Sequence, residues 1–329
     1  MNIKVDFLDS NPELVDSIKR IVANRKRAIV ITIGNWKGGV SKTASTVQLA
    51  NVLSMMGFKV AVADQDAQGN TTNSLILTKK AIDNSYFDYE ETLMRGIQKG
   101  DLTRLPVEIK DNLYLLPSTS DFFSFTNFLD VKFGVVLEGT PEYLTLEEKK
   151  ISYLPSLLEP LLSDFDFLLI DTPPGDSYAT KSAIYLSDYV MVALQTQSDS
   201  LENAVDFVQR FIPKIYQFNE NLDIIGVLAS MLNAPGSPLD DNGELPRERL
   251  AVIKEQKKKW TLDLEVYEDA LNQFGDEEVF KTIIPYMRRI TTVPRRGARL
   301  EDRWDKEILI TYHKLALEIL ERINERIGE

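Results

Sequence analysis

Residues 28–43 read Ala28-Ile29-Val30-Ile31-Thr32-Ile33-Gly34-Asn35-Trp36-Lys37-Gly38-Gly39-Val40-Ser41-Lys42-Thr43, and the order of residue types along this stretch decides the fold. After Ala28 come five β-branched residues, the composition of a strand buried on both faces. Glycine then enters at Gly34, Gly38 and Gly39, where a turning backbone needs its freedom. A helix is expected from about Lys42 to Met56, with Gly57 as its C-terminal stop. Phe58 to Asp64 is again an apolar strand. Strand, loop, helix and strand in that order predict a right-handed parallel unit.

Further apolar runs repeat the pattern at Phe165–Ile170, Tyr189–Leu194, Ile224–Leu228 and Val279–Ile284. The economical architecture is an α/β fold with a doubly wound, mostly parallel sheet and helices on both faces. Two stretches fit the sheet poorly and read as helical insertions, about 75–160 and 234–276; the second opens with the turn Ala234-Pro235-Gly236-Ser237-Pro238. Before the main domain at 28–329, residues 1–27 read as a short helical extension. Leu14, Ile18, Ile21 and Val22 recur there at helical spacing, with Asn11 or Ser10 as a cap. From Asp305 to Ile327, the residues Ile308, Tyr312, Leu315, Ile319 and Ile323 share one face of a closing helix.

Composition narrows the chemistry. The chain of 329 residues is 43% hydrophobic and 27% charged, ordinary for a globular protein. No apolar run approaches the roughly 20 residues of a membrane helix. The opening Met1-Asn2-Ile3-Lys4-Val5-Asp6 lacks the order of a secretion signal, so a cytoplasmic location is expected. With no cysteine and one histidine, His313, thiolate zinc sites, iron–sulfur clusters and disulfides are excluded, and any metal should be oxygen-bound. A net charge of −12 opposes general attraction to a polyanion, so nucleic-acid contact needs a local basic patch.

A glycine-bearing loop between a buried strand and a helix suits phosphate. Its N–H groups turn inward, and the helix start adds positive dipole character. In that setting Lys42 meets the β- and γ-phosphates and Thr43 offers its hydroxyl to Mg²⁺. The bland alternative, a turn with solvated lysines, does not explain the flanking strand and helix. A second signal is Asp171, which follows the apolar Phe167-Leu168-Leu169-Ile170. A carboxylate at the end of a buried strand can support Mg²⁺ through water, and Gly175 lets the backbone approach a γ-phosphate. A third is Asp64-Gln65-Asp66-Ala67-Gln68-Gly69-Asn70-Thr71-Thr72, with Asp64 at a strand end near the metal; the bland alternative is a polar turn after a strand.

The string Lys37-Gly38-Gly39-Val40-Ser41-Lys42-Thr43 resembles the deviant Walker A box of the ParA/MinD superfamily of P-loop ATPases, in which an extra lysine precedes paired glycines. The stretch from Asp64 to Asn70 is similar to that family's Asp-x-Asp-Pro-Gln-Gly-Asn, with Ala67 in place of proline. The likeness covers Ala28–Leu75 and Phe165 to about Leu232. It implies ATP and Mg²⁺ as ligands and a homodimer formed across ATP. It also implies Lys37 as a lysine reaching the partner's phosphates and Asp66 as the carboxylate that orients attacking water. Nucleotide contacts would come from Lys37, Gly38, Gly39, Val40, Ser41, Lys42, Thr43 and Ala44, with adenine near Asn233, Pro285 and Tyr286. Two residues depart from the family: Ser41 stands where glycine is usual and Ala44 where a second threonine is. The side chain of Ser41 is expected to crowd the phosphate path and lower turnover and affinity.

The superfamily serves several tasks, and residues outside the nucleotide site must select among them. Missing cysteines disfavour cluster carriers, and a C-terminal tail with Glu318, Glu321, Glu325 and Glu329 disfavours a membrane anchor. No terminal tyrosine cluster marks a kinase. Arg288, Arg289, Arg295, Arg296 and Arg299 lie within twelve residues and resemble the late basic patch of ParA-type proteins, which holds DNA backbone without sequence preference. The competing reading is a face ion-paired with Glu301, Asp302 and Asp305. Lys257-Lys258-Lys259 is a weaker patch, read as an exposed helix face. The chain is thus most like a ParA-type plasmid or chromosome partition ATPase. That likeness implies non-specific DNA, a centromere-binding ParB-type adaptor and a nucleoid-associated location, with no membrane. Two alternatives stay open: an ATP-gated DNA scaffold with little hydrolysis, and a MinD-like positioning ATPase for a non-DNA cargo.

Overall fold

The computed structural model describes residues 11–83, 89–234, 238–240, 243–256 and 259–328. Eight strands form one sheet: β1 (Ile29–Gly34), β2 (Val60–Asp64), β3 (Val107–Lys110), β4 (Leu113–Leu116), β5 (Phe167–Asp171), β6 (Tyr189–Gln195), β7 (Asp223–Leu232) and β8 (Ile284–Pro285), in the order β3-β4-β2-β5-β1-β6-β7-β8. All pairs are parallel except the β3–β4 hairpin at one edge. Every residue of β1, β2 and β5 is buried. Such strands have no face to show water, and that is why their sequences run continuously apolar instead of alternating. β1 lies between β5 and β6; the chain leaves it through a helix for β2 on the β5 side, while β6 and β7 extend the sheet on the other, which opens a crevice at the C-terminal end of β1.

The helices are α1 (Pro12–Arg25), α2 (Lys42–Met55), α3 (Asn70–Asp83), α4 (Leu93–Lys99), α5 (Phe125–Phe133), α6 (Tyr143–Leu158), α7 (Tyr178–Leu186), α8 (Ser198–Asp206), α9 (Ile212–Tyr216), α10 (Arg247–Glu255), α11 (Leu262–Phe274), α12 (Arg288–Thr291), α13 (Val293–Arg296) and α14 (Arg303–Gly328). They cover both faces. Ile29, Ile31 and Ile33 point into a core shared with α1, α2 and α14, whereas Ala28 and Val30 point into one shared with α4, α5, α6 and α7. A third core under β6 and β7 gathers Val190, Val227, Phe207, Phe211 and Leu264. Among the described residues, no helix is long and apolar enough to cross a membrane.

Asn11 caps α1 by accepting from the N–H of Leu14 at 3.1 Å. Leu14, Val15, Ile18 and Val22 of α1 enter the same core as α14, and Ser17 Oγ donates to Asn324 Oδ1 at 2.7 Å. The helix therefore packs against the main domain, each buried aliphatic contributing about 1.5–3 kcal/mol. The 75–160 stretch differs from the helical insertion expected, because it adds β3 and β4 to the sheet edge. Val279–Ile284 shrinks to the two-residue β8 and one isolated bridge at Val279. Ser10 and the turn Pro235-Gly236-Ser237 lie outside the described residues.

One close approach ties the C-terminal segment to the body. Gly297 sits at φ 73, and a Cβ there would lie 2.5 Å from the backbone N of Thr78 and 2.8 Å from the carbonyl of Ser74, both in α3. Ala298 N–H donates to Thr78 Oγ1 at 2.8 Å and Asn73 Nδ2 to the carbonyl of Pro294 at 2.6 Å. Gly297→Ala combines a left-handed backbone with a clash against helix backbone, so urea unfolding should show a loss on the order of 3 kcal/mol.

Candidate functional site

The glycine loop is built from its buried end outward. Asn35 follows β1 directly, and its Nδ2 donates to the carbonyl of Ala193 on β6 at 2.7 Å while its Oδ1 accepts from the N–H of Lys37 at 2.9 Å. The N–H of Gly175 donates to the carbonyl of Trp36 at 3.1 Å, tying the loop to the segment after β5. Trp36, at the first glycine position of an ordinary phosphate loop, is a hydrophobic anchor. Its ring meets Phe207 and Phe211 edge-on at centroid distances of 6.5 and 5.7 Å. Gly39 (φ 78) and Ser41 (φ 66) then take left-handed conformations that curl the backbone into the start of α2.

Among the described residues, the N–H groups of Ser41, Lys42, Thr43 and Ala44 have no acceptor, the first bond of the helix being from Ser45 N–H to the carbonyl of Ser41 at 2.8 Å. Those groups and the helix dipole form a concentrated positive end. Lys42 folds back over it, its Nζ donating to the carbonyls of Asn35 and Lys37 at 3.1 and 2.8 Å. Burial holds the Lys42 ammonium below the usual lysine range, while the carboxylates of Asp171 and Asp66 pull it back up. A buried cation whose hydrogen bonds, among the described residues, go to carbonyl oxygens calls for an anion.

Strand register brings the carboxylates together. β5 lies between β1 and β2, and Asp171 is opposite Ile33 on one side and Asp64 on the other. Asp171 Oδ2 accepts from Thr43 Oγ1 at 2.8 Å and from Thr71 Oγ1 at 2.6 Å. Its Oδ1 is buried with no hydrogen-bond partner among the described residues. Asp64 Oδ2 accepts from the N–H and the hydroxyl of Thr72 at 2.8 and 2.7 Å, and its Oδ1 from the N–H of Asp66 at 3.1 Å. Desolvation, then the charge of Asp171, push the Asp64 carboxyl up to about 8. Desolvation also raises Asp171, against the pull of the Thr71 and Thr43 hydroxyls and Lys42. An orphaned carboxylate oxygen beside a serviceable hydroxyl, with its proton too tightly held, is the donor set a divalent cation would relieve. Thr43 and Asp171 therefore fit Mg²⁺.

Asp66 is half-buried, and its Oδ1 accepts from the N–H of Gln68 at 2.9 Å. The other oxygen makes no hydrogen bond among the described residues. Ala67, in the proline position, is buried in the core behind the loop. Lys37 turns away from Lys42. Its Nζ donates to Asp199 Oδ1 at 2.6 Å and Gln197 Oε1 at 3.1 Å, and it holds the Asp199 carboxyl below the usual carboxylate range. The chain thus brings Lys37, Gly38 to Ala44, Asp66 and Asp171 to one crevice. Asn233 and Pro285 lie on the same sheet edge but at β7 and β8. Asn233 N–H donates to Asp263 Oδ1 at 3.1 Å, which also accepts from Thr196 Oγ1 at 2.8 Å. Pro285 pairs with Leu232, and Tyr286 is 52% exposed.

The arginine cluster divides. Arg289 pairs with Asp302, and with Asp305 at 3.4 Å; Arg299 and Arg296 share Glu301 at 2.9 and 3.8 Å. The ion-paired reading holds for these three. Arg288 and Arg295 are exposed and have no ion pair among the described residues. Lys257 and Lys258 lie outside the described residues, and Lys259 is exposed. Sequence reasoning did not find Asn35, Gln197 or Asp199, and it quoted Thr71 and Thr72 without giving them a role. The only available signal was their polarity at strand or helix ends.

Known proteins share both the sequence pattern and the fold. The sequence model of the AAA_31 family, described as an AAA domain, matches residues 28–224. The sporulation initiation inhibitor protein Soj of Bacillus subtilis is 27% identical over 82% of this chain and 88% of its own length. The chromosome-partitioning ATPase Soj of Treponema pallidum is 26% identical over 89% of this chain and 97% of its own. Among solved structures, Cyanothece McdA bound to ATP superposes with a TM-score of 0.66 at 16% identity, covering 88% of this chain and 96% of that one. A Borrelia burgdorferi B31 protein assigned to plasmid partition and bound to AMPPNP gives 0.54 at 20% identity, covering 91% and 99%. At these identities the structural likenesses speak to the fold alone.

The carboxyl pair makes stability depend on pH. A carboxyl that holds its proton more tightly when folded favours folding at low pH, and that contribution is lost as pH rises from about 4 toward about 8. The thermal midpoint of the nucleotide-free chain should therefore fall between pH 6 and pH 8. Asp64→Asn, which cannot ionise, should flatten that slope; an unchanged slope would refute the assignment.

Proposed function

The chain belongs to the AAA-domain family whose model spans residues 28–224, and from that membership we propose that it works as a ParA-type partition ATPase that segregates plasmid or chromosomal DNA. It is a P-loop ATPase of the ParA/MinD type. Relatives that bear chromosome-partitioning names and align along most of their length support the partition task. The observation that carries the reading is local. A lysine and free N–H groups at a helix start face a carboxylate whose one oxygen holds the loop's Thr43 and whose other has no partner among the described residues.

In the proposed cycle the phosphates of ATP sit on the N–H groups at the start of α2, and Lys42 exchanges the carbonyls of Asn35 and Lys37 for β- and γ-oxygens. Thr43 Oγ1 and Asp171 would hold Mg²⁺, which supplies charge neutralisation at the phosphate oxygens. Asp66 accepts a hydrogen bond from the attacking water and sets its line to the γ-phosphorus. The P–O bond to ADP breaks as the P–O bond from water forms, giving ADP and phosphate. Lys37 leaves Asp199 to reach a second copy of the chain, where its charge offsets that developing on the bridging oxygen. The ATP-bound homodimer would hold DNA backbone through Arg288 and Arg295, in the cytoplasm and on the nucleoid. A centromere-bound ParB-type adaptor would stimulate hydrolysis and release. A DNA scaffold with little hydrolysis is a second reading, favoured by the side chain at Ser41; phosphate release with and without DNA separates the two.

Lys42→Ala should weaken ATP binding about hundredfold, since two charge-assisted contacts are lost. Lys37→Ala should keep binding and lose stimulated hydrolysis, and unchanged turnover in that variant would contradict its role in trans. Replacing Arg288 and Arg295 with glutamate should weaken ATP-dependent retention on arbitrary duplex DNA. The slope of affinity against salt should fall by about two phosphate contacts. A chain that never retains DNA would favour positioning of a non-DNA cargo.

A further inference from the structure

Ser41 contradicts what a serine does at a helix start. In the N-cap position serine ordinarily takes an extended backbone and accepts from an N–H of the first turn. Here it occupies the N-cap of α2 at φ 66, ψ 14, and its side chain makes no capping hydrogen bond. The left-handed conformation is uncommon and unfavourable for any residue with a Cβ. Among the described residues, the N–H groups of Lys42, Thr43 and Ala44 have no acceptor, and the Ser41 hydroxyl is not spent on capping them. Gly39, two residues earlier, takes φ 78 with nothing within 4 Å of where its Cβ would be. Backbone turns at both positions therefore suit glycine, yet only one carries it.

We propose that the Ser41 hydroxyl is a ligand of the bound nucleotide, donating to a phosphate oxygen alongside the N–H groups of α2. This rests on the ATPase reading above and replaces the expectation that Ser41 merely crowds the phosphates. An O–H at that place suits an anion, because it adds a donor without adding charge and is not consumed in capping. The backbone strain is already present in the nucleotide-free chain. It therefore cancels from binding and shows only in folding.

The two contributions can be separated with Ser41→Gly and Ser41→Ala. Glycine relieves the backbone and removes the hydroxyl, whereas alanine keeps the Cβ and removes the hydroxyl alone. Calorimetric titration with ATP and Mg²⁺ should show both variants binding about tenfold more weakly than the unsubstituted chain. Only Ser41→Gly should raise the thermal midpoint of the nucleotide-free protein. If Ser41→Gly binds as tightly or more tightly, the side chain is an obstacle and the proposal fails; unchanged affinity in Ser41→Ala also overturns it. Absence of ATP binding in the unsubstituted chain would instead overturn the ATPase reading, and this proposal with it.

Discussion

One carboxylate organises the crevice. Asp171 ends a strand buried on both sides, so its position is set by the ladders to β1 and β2 and not by its own loop. From there it takes the hydroxyls of Thr43 and Thr71 on a single oxygen and leaves the other buried without a partner among the described residues. A buried, half-satisfied carboxylate is costly unless something of opposite charge completes it. Lys42 is a resident cation beside it, and burial holds its ammonium below the ordinary lysine range. Neither group is fully satisfied among the described residues, and the shortfall of each would be met by the same ligand, a phosphate with its divalent ion.

The parallel sheet explains why these groups converge. β1, β2 and β5 all point their C-terminal ends the same way, so the loops leaving them meet on one edge. β1 delivers the glycine loop, β2 delivers Asp64 and Asp66, and β5 delivers Asp171. β6 delivers Gln197 and Asp199, which hold Lys37 outside its own loop. The side chains of Lys37 and Asp199 are 20% and 69% exposed, and a pair with one partner so open to solvent contributes little. Lys37 can therefore leave it at small cost when a better partner for its charge arrives.

The buried strands were legible because burial on both faces leaves a continuous β-branched run, and the glycine loop was legible because its residue types stand between such a run and a helix. β3 and β4 were not. Four residues each, with Glu108 exposed and Tyr114 half-buried against Phe165, carry too little pattern to stand out from a loop. The contact of Lys37 with Asp199 spans 162 residues, and no local signal announces it. Ser41 was visible as an unusual residue, but crowding and ligation predict the same letter in the sequence; its left-handed backbone and its lack of a capping bond came only with the structure. The arginine cluster likewise offered two readings until neighbours were known, and Asp302, Asp305 and Glu301 then claimed three of its five members.

Of the remaining two arginines, Arg295 is not on independent footing. α3 begins directly after the Asp64–Gly69 loop, and its first turn is pinned to the crevice by Thr71 on Asp171 and Thr72 on Asp64. The next residue, Asn73, holds the carbonyl of Pro294, and farther along the helix Thr78 holds the N–H of Ala298. Gly297 brings the intervening backbone against the helix so closely that no Cβ fits. Arg295 lies inside that clasp, between Pro294 and Gly297. A helix held at its start by the carboxylates and along its side by the arginine segment is a rigid spacer between them. The separation of Arg295 from the phosphate crevice is thus set by α3 and not by a loose tail, and the two surfaces keep a fixed relation while the threonines stay bound.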